Sequence, residues 1–278
     1  MGRVFGKKKR LLVKCTFGYI PFRVNYYDGC SNGCTYCCGC LMCERFIRDF
    51  DYQKWLKPKL VENAVEIFEK NLASSRTKGE VFTQSLSDSY MDHADPDVTR
   101  AMLELMKKYG FPILLLTKNA SVIRDLDFFK EYREKMRVGF TIVLPKTDRS
   151  IEPFSSPVEK RIQVLEELYN EGIHTTVSLE PLMPNISLDQ VLDMIEAINP
   201  YVHDYVFVGK LTRGSIPNEF KTHTQWKTTE KGFHDAYYKE LFSELLPKLE
   251  TYSVASHSRK FLLKHRIPFE ECLHAMRA

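Results

Sequence analysis

The chain has 278 residues, of which 44% are hydrophobic and 27% charged, so it can bury a sizeable core and has the composition of an ordinary globular protein. No apolar run approaches the roughly 20 residues that span a bilayer, and the basic N-terminus lacks the apolar stretch of a secretion signal. We therefore expect a cytoplasmic protein without a membrane partner. The net charge of +4 does not by itself indicate nucleic-acid binding, and the basic runs at 7–10 and 257–266 are interpreted first as solvated surface.

The predicted elements alternate between strands and helices along the chain. Predicted strands are RVNYY (23–27), EVFTQS (80–85), PILLLT (112–117), VGFTIV (138–143), HTTVSLE (174–180) and DYVFVG (204–209). Predicted helices cover 59–72, 95–108, 122–135, 156–171, 187–199 and 233–246. PILLLT and DYVFVG lack in–out alternation, which is typical of parallel strands covered on both faces.

Three helix starts carry capping signals. Asp95 precedes a proline, and Ser156 and Ser187 each precede a Glu or Gln by three residues, which predicts capping boxes. On the helix after Ser156, the apolar stripe is predicted to comprise Val158, Ile162, Leu165 and Tyr169.

Six strand–helix units predict right-handed crossovers and a mostly parallel sheet. Eight units and about 250 residues would be needed for a closed barrel, so a partial barrel and an open doubly wound sheet remain. Residues 1–22 form a predicted N-terminal extension, 23–210 the core, and 211–278 a C-terminal segment that begins with a long loop. In either architecture ligands bind at the carboxyl ends of the strands.

Six of the eight cysteines lie within GCSNGCTYCCGCLMC, residues 29–43. A disulfide framework is disfavoured by the expected compartment and by the size of the chain. Cys30, Cys34 and Cys37 have C-x3-C-x2-C spacing, and three thiolates would leave one iron of a four-iron cluster open to another ligand. Cys34/Cys37 and Cys40/Cys43 are also two C-x2-C pairs, but zinc sites usually separate such pairs by roughly twelve residues or more. An iron–sulfur cluster is favoured, and zinc remains the alternative.

The segment NYYDGCSNGCTYC (25–37) resembles the cluster motif of radical S-adenosylmethionine (SAM) enzymes. It is most similar to the spore-photoproduct-lyase-like branch and a related phage-associated branch. FTQSLSD (82–88), LLLTKNASVIRDL (114–126), VSLEPLMP (177–184) and DYVFVG resemble later segments of that branch, in the same order. The resemblance implies an α/β fold, a partial (β/α)6 TIM-like barrel closed by the C-terminal segment. It also implies a [4Fe–4S] cluster on Cys30, Cys34 and Cys37, with SAM on the open iron, and an external electron donor such as flavodoxin or ferredoxin.

The resemblance implies further site residues at the strand ends. Asp88 would lie near the SAM ammonium, Lys118 would pair with its carboxylate, and Glu180 would meet the ribose or the substrate. The full set of implied SAM-binding residues is Tyr36, Ser85, Ser87, Asp88, Thr117, Lys118, Thr141, Leu182 and Val208. Spore photoproduct lyases usually have tyrosine where this chain has Cys38, and they carry a hydrogen-donor cysteine near the second strand that FTQSLSD lacks. Cys38 is therefore a candidate hydrogen donor, and photoproduct repair itself is not predicted.

The functional hypothesis is a radical SAM enzyme that forms a 5′-deoxyadenosyl radical and acts on a nucleic acid or nucleotide. Whether it is a lyase, a transferase or an oxidoreductase is left open. One alternative is the same chemistry on a peptide or small metabolite. The other is a non-catalytic, zinc-dependent nucleic-acid-binding protein, which the bound metal would distinguish from the first two.

Overall fold

The computed structural model describes residues 7–15, 20–184, 186–211, 220, 231–249, 253–254, 264 and 266. Most of the predicted long loop after residue 210, most of the basic run at 257–266, and Cys272 lie outside the described residues. The strands are β1 (Val13–Lys14), β2 (Phe22–Val24), β3 (Tyr27–Asp28), β4 (Lys59–Leu60), β5 (Val81–Thr83), β6 (Ile113–Thr117), β7 (Met136–Thr141), β8 (His174–Leu182), β9 (Asp204–Lys210) and β10 (Ser253–Val254). The α-helices are α1 (Cys38–Phe46), α2 (Tyr52–Trp55), α3 (Ala64–Ser74), α4 (Pro96–Lys108), α5 (Leu126–Tyr132), α6 (Val158–Asn170), α7 (Leu188–Ile198) and α8 (Lys231–Lys248).

One eight-stranded sheet organises the chain, in the order β1-β2-β5-β6-β7-β8-β9-β10. Neighbouring strands from β2 to β10 pair in parallel, whereas β1 pairs antiparallel with β2. The sheet curls into a half-barrel, the predicted parallel sheet is confirmed, and its strands follow one another in chain order. The strands at its two edges, β1 and β10, had not been predicted. A separate pair, β3 with β4, flanks the cysteine-rich loop.

Both faces of the sheet are covered, as the continuous apolar runs predict. In β6, Ile113 and Leu115 belong to the large cluster between sheet and helices. Leu114 and Leu116 belong to a smaller cluster on the other face, with Phe82 and other side chains of the strands. Residues of β6 therefore pack on both sides, which is why the strand shows no polar alternation.

The predicted caps of α4 and α7 are confirmed. The Asp95 carboxylate accepts from the backbone N–H of Asp97 at 2.9 Å and of Val98 at 3.3 Å. Ser187 and Gln190 form the predicted capping box at the start of α7. Each cap satisfies N–H groups that the first helical turn leaves without an intrahelical partner.

The predicted cap of α6 is wrong. Pro157 occupies the N-cap position, with no side-chain hydrogen bond to the helix, and Ser156 Oγ instead accepts from the N–H of Ala120 at 2.8 Å. The buried face of α6 is also rotated from the predicted stripe, since Tyr169 is 38% exposed and Ile162 half-buried. The buried residues are Val158, Arg161, Val164, Leu165 and Leu168.

An ion network lies at the amino ends of the strands, far from the predicted site. Arg137 pairs with Glu80 at 2.5 Å and with Asp204 at 2.9 Å, and His174 Nε2 lies 2.9 Å from Asp204. Burial raises the pKa of Asp204, but the hydrogen bond from His174 and the charge of Arg137 outweigh it and hold that pKa at about 2. This end of the half-barrel therefore contributes to stability.

Within the described residues, no helix combines the length and the apolar character needed to cross a membrane.

Candidate active site

A cavity of about 330 Å³ opens at the carboxyl ends of the parallel strands. Its walls come from the cysteine-rich loop, the segment after β5, and the ends of β6 to β9. Most predicted site residues line it: Cys30, Cys34, Tyr36, Cys37, Cys38, Ser85, Ser87, Asp88, Thr117, Lys118, Thr141 and Glu180. Leu182 and Val208 are fully buried in the large hydrophobic cluster and are not among the described residues that line the cavity.

Four cysteines line this cavity, and three of them, Cys30, Cys34 and Cys37, are the predicted cluster ligands. Cys30 and Cys34 are buried and Cys37 is half-buried. Burial raises the pKa of Cys34 to about 11 and that of Cys37 to about 12. Burial also raises the pKa of Cys30 well above its usual value, with Asp88, Cys37 and Cys34 adding to the effect. No disulfide joins any of the described cysteines. Neighbouring buried thiols of this kind ionise when a metal binds them, so this donor set fits a cluster held by three thiolates.

The loop that carries these thiols is held by its backbone. Gly29 has a φ of +100°, and a Cβ there would lie 2.5 Å from the carbonyl oxygen of Trp55. The N–H of Cys30 donates to that same carbonyl at 3.0 Å. Only glycine allows this close approach in a left-handed conformation, so the position of the first thiol depends on Gly29.

The other three cysteines of the run have different surroundings. Cys38 is exposed in the main cavity, Cys40 is fully buried in the core, and Cys43 lines a second cavity. In the described part of the chain, no three His, Cys, Asp or Glu side chains are arranged to hold a single metal ion. A zinc ion needs its four donors around one point, whereas a four-iron cluster spreads its thiolates over separate irons. The placement of these thiols therefore disfavours the zinc alternative.

Asp88 is the hydrogen-bond hub of the cavity wall. One carboxylate oxygen accepts from Tyr90 N at 2.8 Å and from Thr117 Oγ1 at 2.7 Å. The other accepts from Asn32 Nδ2 at 2.9 Å, Lys118 N at 3.0 Å and Asn119 Nδ2 at 2.9 Å. A carboxylate has about four lone-pair sites, and five donors already occupy this one. Asp88 therefore joins the cysteine loop to the ends of β5 and β6, and its predicted contact with an ammonium group lacks a vacant acceptor position.

The two predicted serines make similar internal contacts. Ser85 Oγ accepts from Asn25 Nδ2 at 3.1 Å, and the Ser87 hydroxyl donates to the carbonyl of Gly29. These bonds tie the segment after β5 to the chain that enters the cysteine loop. In the structure described, both serines therefore position that loop.

A buried chain of polar side chains leads away from the thiols. The Tyr36 hydroxyl donates to Glu152, and Glu152 forms an ion pair with Arg161. Lys118 Nζ lies 5.6 Å from the centre of the Tyr36 ring, within cation–π range. Burial lowers the pKa of Lys118, but Cys34 and Glu152 outweigh it and raise the pKa overall. Burial likewise raises the pKa of Glu152, but Arg161 and Lys118 lower it overall. The cavity wall therefore carries a charged lysine beside the thiols.

Glu152 and Arg161 had not been predicted as site residues. Both are almost fully buried, and Arg161 NH1 also donates to the carbonyl of Thr141 at 2.7 Å. The signal for Arg161 was its place on α6, where an arginine interrupts the face that is otherwise apolar. A charge on a buried face needs a partner, so this position indicated a buried anion nearby.

Glu180 lies near the end of β8 and also lines the cavity. A Cβ on Gly209 would lie 2.7 Å from Glu180 Cδ, so the absence of a side chain at Gly209 makes room for the carboxylate. Burial raises the pKa of the Cys38 thiol, and the charge of Glu180 raises it further. Lys210 also lines the cavity. Glu180 and Cys38, which were predicted separately as candidate catalytic residues, therefore lie close enough for the carboxylate to affect the thiol.

Gln84, which sequence reasoning did not single out, also lines the cavity. Its φ is +51°, in the left-handed region that non-glycine residues rarely adopt. Its Oε1 accepts from Tyr26 N at 3.3 Å, while its buried Nε2 has no partner among the described residues. Backbone strain together with an unsatisfied buried donor is typical of functional sites.

The site is thus a cysteine-lined cavity at the carboxyl ends of the strands of a parallel half-barrel. The sequence model of the Radical SAM superfamily matches residues 24–198, and the chain belongs to that superfamily. The superfamily assignment implies SAM and an iron–sulfur cluster as cofactors.

Two relatives have similar sequences. The uncharacterized protein MJ0683 of Methanocaldococcus jannaschii is 33% identical over 187 residues, 66% of this chain and 68% of the relative. The uncharacterized protein ORF301 of Acidianus two-tailed virus is 26% identical over 242 residues, 81% of this chain and 79% of the relative.

Two solved structures have similar folds. A double mutant of spore photoproduct lyase with bound AdoMet and dinucleoside spore photoproduct aligns with a TM-score of 0.56 at 15% identity, over 76% of this chain and 63% of that one. Native anSMEcpe with bound AdoMet and Cp18Cys peptide aligns with a TM-score of 0.57 at 14% identity, over 90% and 66%. This chain thus spans somewhat less than two thirds of both solved chains, and at these identities the likeness establishes the fold alone.

Proposed function

We propose that this protein binds a [4Fe–4S] cluster through Cys30, Cys34 and Cys37 and uses it to cleave SAM reductively. The observation that carries the proposal is the convergence of those three thiols on one cavity at the strand ends. When bound, the cluster and SAM supply a 5′-deoxyadenosyl radical that removes a hydrogen atom from the substrate. The protein contributes the binding, the orientation and the exclusion of water.

Lys118 is the proposed partner of the SAM carboxylate. Its side chain lines the cavity near Cys34, and its pKa is raised overall, so it is cationic at neutral pH. The bond between its backbone N–H and Asp88 fixes the start of the lysine at the end of β6. A charge-assisted hydrogen bond to a carboxylate is worth about 1.5–3 kcal/mol, so we expect Lys118→Met to weaken SAM binding at least about tenfold.

Glu180 is the proposed acceptor for the ribose or the substrate. Gly209 has no side chain and so leaves room for this carboxylate at the cavity wall. Cys38 is exposed near this carboxylate and is the proposed hydrogen donor. Asp88, by contrast, serves as the positioning residue for the cysteine loop and Lys118, since its oxygens are already occupied.

The proposed substrate is a nucleic acid or nucleotide. The similar structures include one with a dinucleoside and one with a peptide, at almost equal TM-scores, so the fold alone does not choose between them. A peptide or small metabolite therefore stays the second candidate. Support for a nucleic-acid substrate has to come from the surface beside the cavity.

The decisive experiment is an EPR spectrum of the anaerobically reconstituted, dithionite-reduced protein, with and without SAM. We expect a reduced cluster signal that changes shape when SAM is added. Cys34→Ser should lose iron and signal, whereas Cys43→Ser, a cysteine of the second C-x2-C pair, should retain both. Tightly bound zinc that both variants lose would overturn the proposal, because that result requires the two pairs to act together.

A matched pair of lysines tests the SAM contact. Lys118→Met should lower SAM affinity without changing the iron content, and Lys130→Met, at an exposed lysine on α5 paired with Glu171, should change neither. Equal SAM affinity in the wild type and Lys118→Met would remove Lys118 from the site.

A further inference from the structure

A second cavity, of about 180 Å³, lies beside the main one at the open edge of the half-barrel. Trp55 and Leu86 line both cavities, so the two cavities are neighbours. The second cavity is lined by residues of the N-terminal extension, of β2 and of the entry to the cysteine loop. Its charged lining residues are Lys8, Arg10, Arg23 and Asp28.

This cavity has an excess of positive charge. Lys8 Nζ and Asp28 form an ion pair at 2.8 Å, so these two charges offset each other. Arg10 donates one hydrogen bond, from Nε to the carbonyl of Leu12 at 2.8 Å. No carboxylate of the described residues forms an ion pair with Arg10 or with the half-buried Arg23. Two guanidinium groups therefore remain for a ligand that carries negative charge.

The neutral polar groups of the cavity are already engaged. Asn25 donates to Ser85 Oγ and accepts from the N–H of Leu86. The Tyr27 hydroxyl accepts from the N–H of Asp95 at 2.6 Å. The two arginines are therefore the main groups that could recognise a ligand, and both present only donors, which requires acceptor oxygens on that ligand.

The sequence concentrates positive charge in its first 27 residues. Residues 1–27 contain seven Lys and Arg and no Asp or Glu, whereas the other 251 residues have a net charge of −3. Within this stretch β1 forms the edge of the sheet, directly beside β2. The basic run at 7–10 therefore borders a cavity instead of lying on a featureless surface, and an anion approaching the half-barrel is attracted to its open edge.

We propose that the second cavity binds a phosphate group of the substrate while the reacting part of that substrate occupies the main cavity. The inference rests on the proposed function and makes it more specific, since it names a phosphate ester as the substrate class. Guanidinium groups match the oxygens of a phosphate in bidentate geometry, and two of them can neutralise the single charge of a phosphodiester or the nearly double charge of a phosphomonoester. Both the phosphodiester of a nucleic acid and the monoester of a nucleotide present this group, and the experiment distinguishes the two sources.

The experiment is fluorescence anisotropy of a labelled ten-nucleotide single strand with the anaerobically reconstituted protein, over a series of NaCl concentrations. Arg10→Gln/Arg23→Gln should weaken binding at least tenfold at low salt. It should also reduce the slope of log affinity against log salt by about 0.7, the value for one phosphate on a single strand. The matched control is Arg76→Gln/Arg133→Gln, which removes two exposed arginines near the amino ends of β5 and β7 and should change neither quantity.

Competition identifies the source of the phosphate. If thymidine monophosphate displaces the strand from the wild type and thymidine does not, the site recognises a phosphate group, and a nucleotide can be the substrate. Displacement by unlabelled oligonucleotide alone assigns it to a phosphodiester. The proposal would be overturned if Arg10→Gln/Arg23→Gln and Arg76→Gln/Arg133→Gln lost the same strand affinity. It would also be overturned if the wild type bound none of these probes.

The two proposals fail separately. A wild-type protein whose EPR signal responds to SAM, but whose strand binding is unaffected by Arg10→Gln/Arg23→Gln, retains the proposed chemistry and loses the phosphate site. A protein without any cluster signal that still binds the strand through these arginines retains the phosphate site and loses the chemistry.

Discussion

Replacing Asp88 by asparagine should separate a structural role from a direct role in cofactor binding. The amide puts an NH2 group where one carboxylate oxygen accepted hydrogen bonds. If that group takes the position facing Tyr90 and Thr117, the N–H of Tyr90 loses its acceptor, although the Thr117 hydroxyl can rotate. If it takes the other position, it faces three donors at once: Asn32, Lys118 N and the Asn119 amide.

Even the better of the two orientations leaves one buried donor without an acceptor, which lowers the free energy of unfolding by about 1–3 kcal/mol. The remaining charge-assisted hydrogen bonds become weaker neutral ones. Relief of the buried charge of Asp88 offsets part of this cost. We therefore expect Asp88→Asn to lose about 3 kcal/mol, a large part of the 5–15 kcal/mol of a typical domain.

The assay is urea unfolding of the metal-free protein at neutral pH, followed by tryptophan fluorescence and circular dichroism. Asp92→Asn is the control, since Asp92 is exposed four residues further along and should change stability by less than about 0.5 kcal/mol. If Asp88→Asn lost less than about 1 kcal/mol but weakened SAM binding, Asp88 would be a ligand of the cofactor, and the account of it as a hub would be wrong.

Three further predictions concern stability. Arg161→Met should cost about 3–5 kcal/mol, because it leaves Glu152 as an uncompensated buried charge. The double variant Glu152→Gln/Arg161→Met should lose less unfolding free energy than Arg161→Met alone. If the losses of the two single variants simply add up in urea unfolding, this reasoning is wrong. The folded-state pKa of Asp204 is about 2, against 3.8 as the ordinary value. Its contribution of about 2 kcal/mol is therefore present above roughly pH 4 and lost as pH falls through 2. The stability difference between wild type and Asp204→Asn should shrink by that amount between about pH 5 and pH 2, and a constant difference would refute the assignment. Gly139→Ala should cost more than about 3 kcal/mol in thermal or urea unfolding, because the new Cβ would lie 1.6 Å from the carbonyl oxygen of Thr176 in β8. If the variant unfolds like the wild type, β7 and β8 can move apart at this position without loss of stability.

The parallel strands could be predicted because each is a local pattern. The run ILLLT of β6 has no polar interruption, and such a run needs cover on both faces, which a parallel half-barrel provides. The edge strands β1 and β10 have only two residues each, too few to show a period. Their pairing depends on contacts with β2 and β9 that no local pattern contains.

The site was predictable to a similar extent. Cysteine spacing and the polar residues at strand ends predict one site, and most of these residues line a common cavity, because parallel strands bring those ends together. The hub at Asp88 was not predictable, because its donors come from separate segments, including Asn32 in the cysteine loop and Asn119 after β6. Glu152 was missed for the same reason, since its partners Tyr36 and Arg161 come from a distant loop and the following helix.

The edge strand β1 has a consequence for self-association. It covers the edge of β2, whose N–H and C=O groups would otherwise be a template for pairing with another chain. Its own outer edge is short, and Lys14 is exposed on it, which discourages further strand addition. Deleting residues 1–14 would therefore do more than remove cations, because it would also uncover β2. We expect the truncated chain to form oligomers in sedimentation velocity, while single substitutions at Arg10 or Arg23 leave the protein in its wild-type association state.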